Sequence, residues 1–145
     1  MADVIRFGEA EVPKFIAWVE RNWPGSGIHA WGVRQGAIGC FQGEWVVAFS
    51  WNCDYMMDGK KTVHFIGSTA PGYTVDEYVT AAKNIQRHLL EDGYDVVKGH
   101  VRRIDPYQSH RLAPMVFGPP DYEDEIHLGY SITREKWPAV WGEPF

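Results

Sequence analysis

Residues 61–118 constrain this chain more than any other stretch. They read as a strand, a short loop of small and turn-forming residues, an amphipathic helix, a second strand and a short helix that stops at Gly118. Val75, Tyr78, Val79, Ala82, Ile85 and Leu89 share one helical face, and Gly93 ends the run. Thr74-Val-Asp-Glu77 ahead of it is a capping box: the Thr74 hydroxyl takes an orphan amide and Glu77 reaches back to the cap. Lys83, Arg87 and His88 load the C-terminal half with positive charge, where the helix dipole favours it. A long helix between strands at 61–68 and 96–103 predicts parallel neighbours joined by a crossover, because a tight hairpin can only return a strand antiparallel.

The flanking segments supply the rest of a sheet. A short strand at 4–7 precedes a helix that starts near Glu11, since Pro13 is tolerated only in a first turn, and that buries Val12, Phe15, Ile16, Val19 and Trp23. Pro24-Gly-Ser-Gly27 breaks it. Strands at 37–41 and 45–54 face each other across Gln42-Gly43-Glu44, and Asp58-Gly59 turns the chain into the strand at 61–68. A helix over 108–116 contains Pro114 as a local disturbance, and residues 126–132 alternate Ile126, Leu128, Tyr130 and Ile132 with polar or small residues as a closing strand. The acidic run at 121–125 reads as a solvated loop. The fold class is therefore α/β (α+β): a mixed sheet with an antiparallel N-terminal meander, one parallel pair and helices on both faces, in a single domain over 1–145.

Composition narrows the function classes. A formal charge of −5 gives no field to attract a phosphate backbone, so nucleic acid is not the expected partner. Lys98, His100, Arg102 and Arg103 form the one basic cluster, read as a solvated strand edge. Two cysteines, Cys40 and Cys53, are too few for a disulfide scaffold and indicate a reducing compartment. No apolar run approaches the roughly 18 residues of a membrane span, and Met-Ala-Asp-Val opens the chain without a basic n-region, so the expectation is a cytoplasmic protein without a membrane partner. Seven Trp, seven Tyr and seven Phe are spread from end to end, which suits a small core filled with large rings or an aromatic partner surface. Walker, dinucleotide, His-Glu-x-x-His and nucleophile-elbow patterns are missing, and the scattered His29, His88, His110 and His127 suggest no metal site.

The order of elements resembles the GNAT (GCN5-related N-acetyltransferase) fold over nearly the whole chain. Trp45-Val-Val-Ala-Phe-Ser-Trp-Asn-Cys-Asp54, Val63-His-Phe-Ile-Gly67 and Ser109-His-Arg-Leu-Ala-Pro-Met-Val-Phe-Gly118 are similar to segments of the small, divergent GNAT-like proteins of tailed bacteriophages. The resemblance implies an N-acyltransferase that uses acetyl-CoA on a small amine or a protein amine, and a location in host cytoplasm or virion. It also implies main-chain contacts from Phe65, Ile66 and Gly67 to the pantetheine arm. The family's phosphate loop, Arg/Gln-x-x-Gly-x-Gly/Ala, aligns with Ser68-Thr-Ala-Pro-Gly-Tyr-Thr74, which leaves Gly72 and Thr74 as cofactor-binding candidates. This stretch departs from the pattern: Pro71 has no amide hydrogen, and Asp76 and Glu77 place carboxylates where a phosphate would sit. The family's catalytic Asn and Tyr positions fall on Tyr107 and Pro114.

Three side chains stand out as catalytic candidates. His64, on the strand at 61–68, has the intrinsic pKa of a base that can deprotonate an amine, and His100 lies on its expected parallel neighbour. Tyr107 is the candidate acid, and Asp54 a candidate for orienting the amine; Cys53 reads as a buried thiol. Two functions remain open: a divergent, degenerate N-acyltransferase, or a non-catalytic GNAT-fold phage protein that binds a host or virion protein through its Trp and Tyr surplus.

Overall fold

The computed structural model describes residues 2–104 and 109–145. Its elements are β1 (Ala2–Phe7), α1 (Val12–Asn22), β2 (Gln35–Phe41), β3 (Glu44–Trp51), β4 (Asp54–Met57), β5 (Lys60–Thr69), α2 (Val75–Glu91), β6 (Val96–Arg102), α3 (Ser109–Phe117), β7 (Tyr122–Glu123), β8 (His127–Ile132) and α4 (Trp137–Trp141), with single 3-10 turns at Glu9–Glu11 and Ile28–Trp31. The strands follow the order β1-β2-β3-β5-β6-β8-β7, with β4 also on β5. Among the described residues only β5 and β6 are parallel, Thr62 opposite Val96 through Phe65 opposite Gly99; the other pairings are antiparallel. The chain divides into two compact units, one of residues up to Cys53 with Ile66–Ile85, the other of Asp54–Phe65 with Gln86–Phe145. Both β5 and α2 thus contribute one half to each.

In the first unit, β1, β2, β3 and the end of β5 form a sheet whose two faces follow from the alternation of side chains. One face buries Ile38, Cys40 and Ala48 against Phe15, Trp18 and Val19 of α1, with Phe7 and Ile28 closing the cluster. The other brings Gly39 so close to α2 that a Cβ there would stand 2.7 Å from the Cβ of Ala81, so the helix seats on a glycine that no larger residue replaces without movement. Two hairpin turns set the register. Gln42 and Gly43 have φ of 52° and 82°, and Asp58 and Gly59 have 52° and 75°. Left-handed conformation at both central residues is the two-residue turn that matches strand twist, and a Gly in the second place makes it cheap.

In the second unit, β6 pairs with β5 on one side and β8 on the other. Phe65, Val97, Tyr130 and Ile132 are buried, and Phe65 stacks on Phe117 of α3 with centroids 5.7 Å apart. Gln86, fully buried in α2, spends its amide on the Val116 carbonyl (2.7 Å) and accepts from the Trp141 indole (3.1 Å), tying α2, α3 and α4 together. Arg134 donates to the carbonyls of Leu90 (2.8 Å) and Tyr94 (2.9 Å) and to Asp95 (2.7 Å), while Asp95 also accepts from the Lys61 amide (2.8 Å). The cation thus caps the Leu90 carbonyl in the last turn of α2, where the dipole favours it, and holds the Tyr94 carbonyl just past the helix.

Several expectations are corrected. The single strand at 45–54 is two: β3 ends at Trp51, with Ser50 opposite Ile66, and β4 begins at Asp54, opposite Val63. Asp54 therefore begins a strand instead of ending one. Cys53 lies between the two strands and is exposed. The acidic run 121–125 is not a plain solvated loop, because Tyr122 and Glu123 pair with Gly129 and Leu128 of β8. Ile126 is 61% exposed, so the buried face of β8 is confined to Tyr130 and Ile132. Of the tryptophans, Trp18, Trp51 and Trp137 are buried and Trp31 is exposed.

Candidate active site

The sequence candidates separate by environment. His64 on β5 and His100 on β6 share the face of the second unit opposite Phe65, and the structure brings their rings together: His64 Nε2 and His100 Nδ1 are 2.9 Å apart. Register explains the approach. His64 is directly opposite Lys98, and His100 is the next residue of β6 on that face, within reach of a diagonal contact. The rings meet edge to face with centroids 4.6 Å apart. His64 is half-buried and His100 exposed.

Both imidazoles hold a proton less tightly than an ordinary histidine. For His64 the first cause is burial, then the charges of His100 and Lys98. For His100 it is burial, then Lys98 and His127, with Asp124 opposing. The pair is thus neutral near pH 7, and a neutral imidazole is the form that accepts a proton.

Beside the pair lies a carboxylate that sequence reasoning passed over. Asp124 accepts hydrogen bonds from the Tyr122 hydroxyl (2.6 Å) and from the amides of Ile126 (2.8 Å) and His127 (2.7 Å). These, the Tyr122 bond first, hold its carboxyl down at about 2. Arg103 pairs with Glu123 at 2.8 Å and also donates to the Asp124 carbonyl. The signal in the sequence was the turn-forming Asp-Glu-Ile-His order ahead of the last strand.

Asp54 is exposed, accepts from the Tyr94 hydroxyl at 2.8 Å and lies 4.0 Å from Lys61 Nζ. It is not part of the histidine pair in the hydrogen bonds described. Tyr107 lies outside the described residues. Phe65, Ile66 and Gly67 are consecutive on β5: Phe65 is the last residue paired to β6, and Ile66 and Gly67 pair with Ser50 and Phe49 of β3.

The loop from Thr69 to Thr74 is mostly spoken for. The Ala70 amide bonds the Val46 carbonyl at 2.7 Å, and the Trp23 indole donates to the Thr69 carbonyl. Thr74 donates its amide (3.2 Å) and hydroxyl (3.0 Å) to Glu77, and the Glu77 amide returns to the Thr74 hydroxyl at 3.1 Å, as the capping box requires. Gly72 takes a left-handed φ of 92° with open space around it. The loop fits a pyrophosphate poorly while Glu77 closes it. Among the described residues, no three His, Cys, Asp or Glu side chains gather as a metal centre, and no helix is long and apolar enough to cross a membrane.

Strand order, the one parallel pair among the described residues and the helix α2 between its strands match the GNAT fold, as solved structures show. By sequence the chain matches no protein family and no curated protein. By structure it is similar to an aminoglycoside N(6')acetyltransferase from Legionella pneumophila, TM-score 0.65 at 7% identity over 95% of each chain. It is also similar to an aminoglycoside acetyltransferase solved with coenzyme A and kanamycin, TM-score 0.61 at 9% identity over 97% of this chain and 99% of that one. A ribosomal-protein alanine N-acetyltransferase from Escherichia coli gives TM-score 0.55 at 10% identity over 92% and 94%. At such identities the likeness is one of fold.

Proposed function

We propose that this chain transfers an acyl group from acyl-CoA, acetyl-CoA first, to a primary amine, with His64 as the base. The observation that carries the reading is the neutral imidazole pair on the parallel strands of a GNAT fold, half-sheltered and beside an ionised carboxylate. An amine is protonated near neutral pH and cannot attack a carbonyl until a base removes its proton. His64 takes that proton. Acyl-CoA, when bound, would supply the thioester carbonyl; the main chain of Phe65, Ile66 and Gly67 would hold its pantetheine arm, and Gly72, joined by Thr74 once Glu77 releases it, would meet its phosphates. Tyr107 is the candidate to return a proton to the leaving thiolate, and Asp54 the candidate to attract the cationic amine. The neighbours named for acetylating an aminoglycoside and a ribosomal-protein alanine support an amine as acceptor class.

Calorimetry of the full chain with CoA and acetyl-CoA, followed by a thiol-release assay over a panel of aminoglycosides, polyamines and peptide amines, tests this. Micromolar to sub-millimolar CoA binding and release of thiol dependent on one amine class are the expected result. No heat at millimolar CoA would sink it, and the alternative of a GNAT fold kept by a phage as a host- or virion-protein binder would take its place.

A further inference from the structure

A hydrogen bond between two neutral imidazoles has a direction, and here the direction decides what the pair can do. Of His64 Nε2 and His100 Nδ1, 2.9 Å apart, one carries the proton and the other offers the lone pair. His64 is the sheltered ring and His100 the exposed one, so the bond connects a half-buried nitrogen to solvent. On β8, residue 129 is a glycine directly opposite His100. A Cβ at that position would stand 3.2 Å from both Cδ2 and Nε2 of His100, so the glycine gives the ring the room it occupies.

We propose that His100 relays to solvent the proton that His64 takes from the amine, an inference that rests on the acyl-transfer reading above. In the resting pair His64 carries its proton on Nε2 and donates it to His100 Nδ1, and His100 carries its own on Nε2. The amine's proton arrives at His64 Nδ1, the His64 Nε2 proton crosses to His100 Nδ1, and the His100 Nε2 proton leaves to water. One proton enters and one leaves, no net charge stays on the pair, and exchange of both rings with water restores the first tautomers. Lys98 on β6 and His127 on β8 add positive charge that disfavours a trapped imidazolium, while Asp124 works against them from its turn. Tyr122 of β7, with its ring 6.4 Å from His100, gives its hydroxyl proton to Asp124 and so does not compete for the histidine bond.

Long-range proton–nitrogen spectra of the full chain read the tautomers without any assay of activity. His64 protonated on Nε2 and His100 accepting on Nδ1 is the expected result; the reverse polarity leaves His64 Nδ1 already protonated and overturns the relay. In turnover, His100→Gln keeps a hydrogen-bonding side chain but cannot pass a proton. It should lower kcat about tenfold, a part of the roughly hundredfold or greater effect typical of a full base, with KM for the amine within about twofold. Free imidazole should restore much of the rate in His100→Ala. Unchanged kcat and pH profile in His100→Gln, with an active wild type, overturns the relay alone. A wild type inactive toward every amine overturns the acyl-transfer reading and the relay with it.

Discussion

The two units use their share of the sheet differently. In the first, α1 covers one face and the start of α2 the other, and Ala37, Ile38, Val46, Val47, Ala48 and Phe49 are all buried. In the second, one face is packed under rings such as Phe65 and Phe117, while the opposite face carries His64, Lys98, His100 and Arg102, half-buried or exposed. A strand buried on both faces has no room for a titratable side chain without a partner. The second unit leaves one face wet, and its ionisable groups collect there. Stability and chemistry are therefore expected to respond to substitution in different units.

The largest effect tests the first half of that contrast. Phe15 is fully buried, stacks on Phe7 at 5.0 Å and meets the tilted Trp18 ring at 6.3 Å. Phe15→Ala should cost about 3–5 kcal/mol, by loss of buried area and the cavity left behind. Denaturant unfolding reads it directly. A loss below about 1 kcal/mol would mean that the face under α1 is not a packed core.

The next effect comes from overpacking. Gly39→Val places a Cβ 2.7 Å from the Ala81 Cβ and 3.2 Å from its backbone. The helix must shift, at a cost of about 1–3 kcal/mol. Ala81→Gly in the same chain should return part of it, and strict additivity in the double-mutant cycle would show that the two residues do not meet.

A smaller effect lies at the start of α2. Glu77→Ala removes one side of the capping box, and loss of such a cap is worth about 1 kcal/mol. It also frees the Thr74 amide and removes a carboxylate from the first turn. If this loop meets phosphates, CoA should bind several-fold tighter to a slightly less stable protein. Weaker or unchanged binding would place the phosphates elsewhere.

How far the sequence could be read follows from the range of each interaction. Periodicity located α1, α2 and the strands because backbone and burial repeat locally; Pro13 and Thr74-Val-Asp-Glu77 even marked the helix starts. The histidines were legible as residues on neighbouring strands, but the 2.9 Å bond depends on register, which no local pattern carries. The break between β3 and β4 at Asn52 and Cys53 stayed hidden for the same reason. Asp95 and Arg134 meet across 39 positions of sequence, and Gln86 reaches the Val116 carbonyl across 30, so neither partnership leaves a mark near either residue. Helix α4 is five residues long, too short for a periodic signal, and it is held by the packing of Trp137 and Trp141.

The smallest effect is the one that belongs to the wet face. Replacing both His64 and His100 by Gln should change stability at pH 7.5 by less than about 0.5 kcal/mol, as for most surface positions. The difference appears on acidification. Burial and Lys98 hold both imidazoles below the ordinary value of about 6.5 that they regain on unfolding. Below that pH the unfolded chain binds protons that the folded pair refuses, so stability falls as pH drops through the window under about 6.5. Asp124, held at about 2, lends stability above the ordinary carboxylate range near 3.9 and loses it only in more acid solution. The wild-type Tm should thus be level above about pH 7 and decline between about 6.5 and 5, and the double variant should decline less over that interval. Equal slopes would show that the pair ionises as freely in the folded chain as in the unfolded one, and the wet face of the second unit would then differ from the first in exposure but not in chemistry.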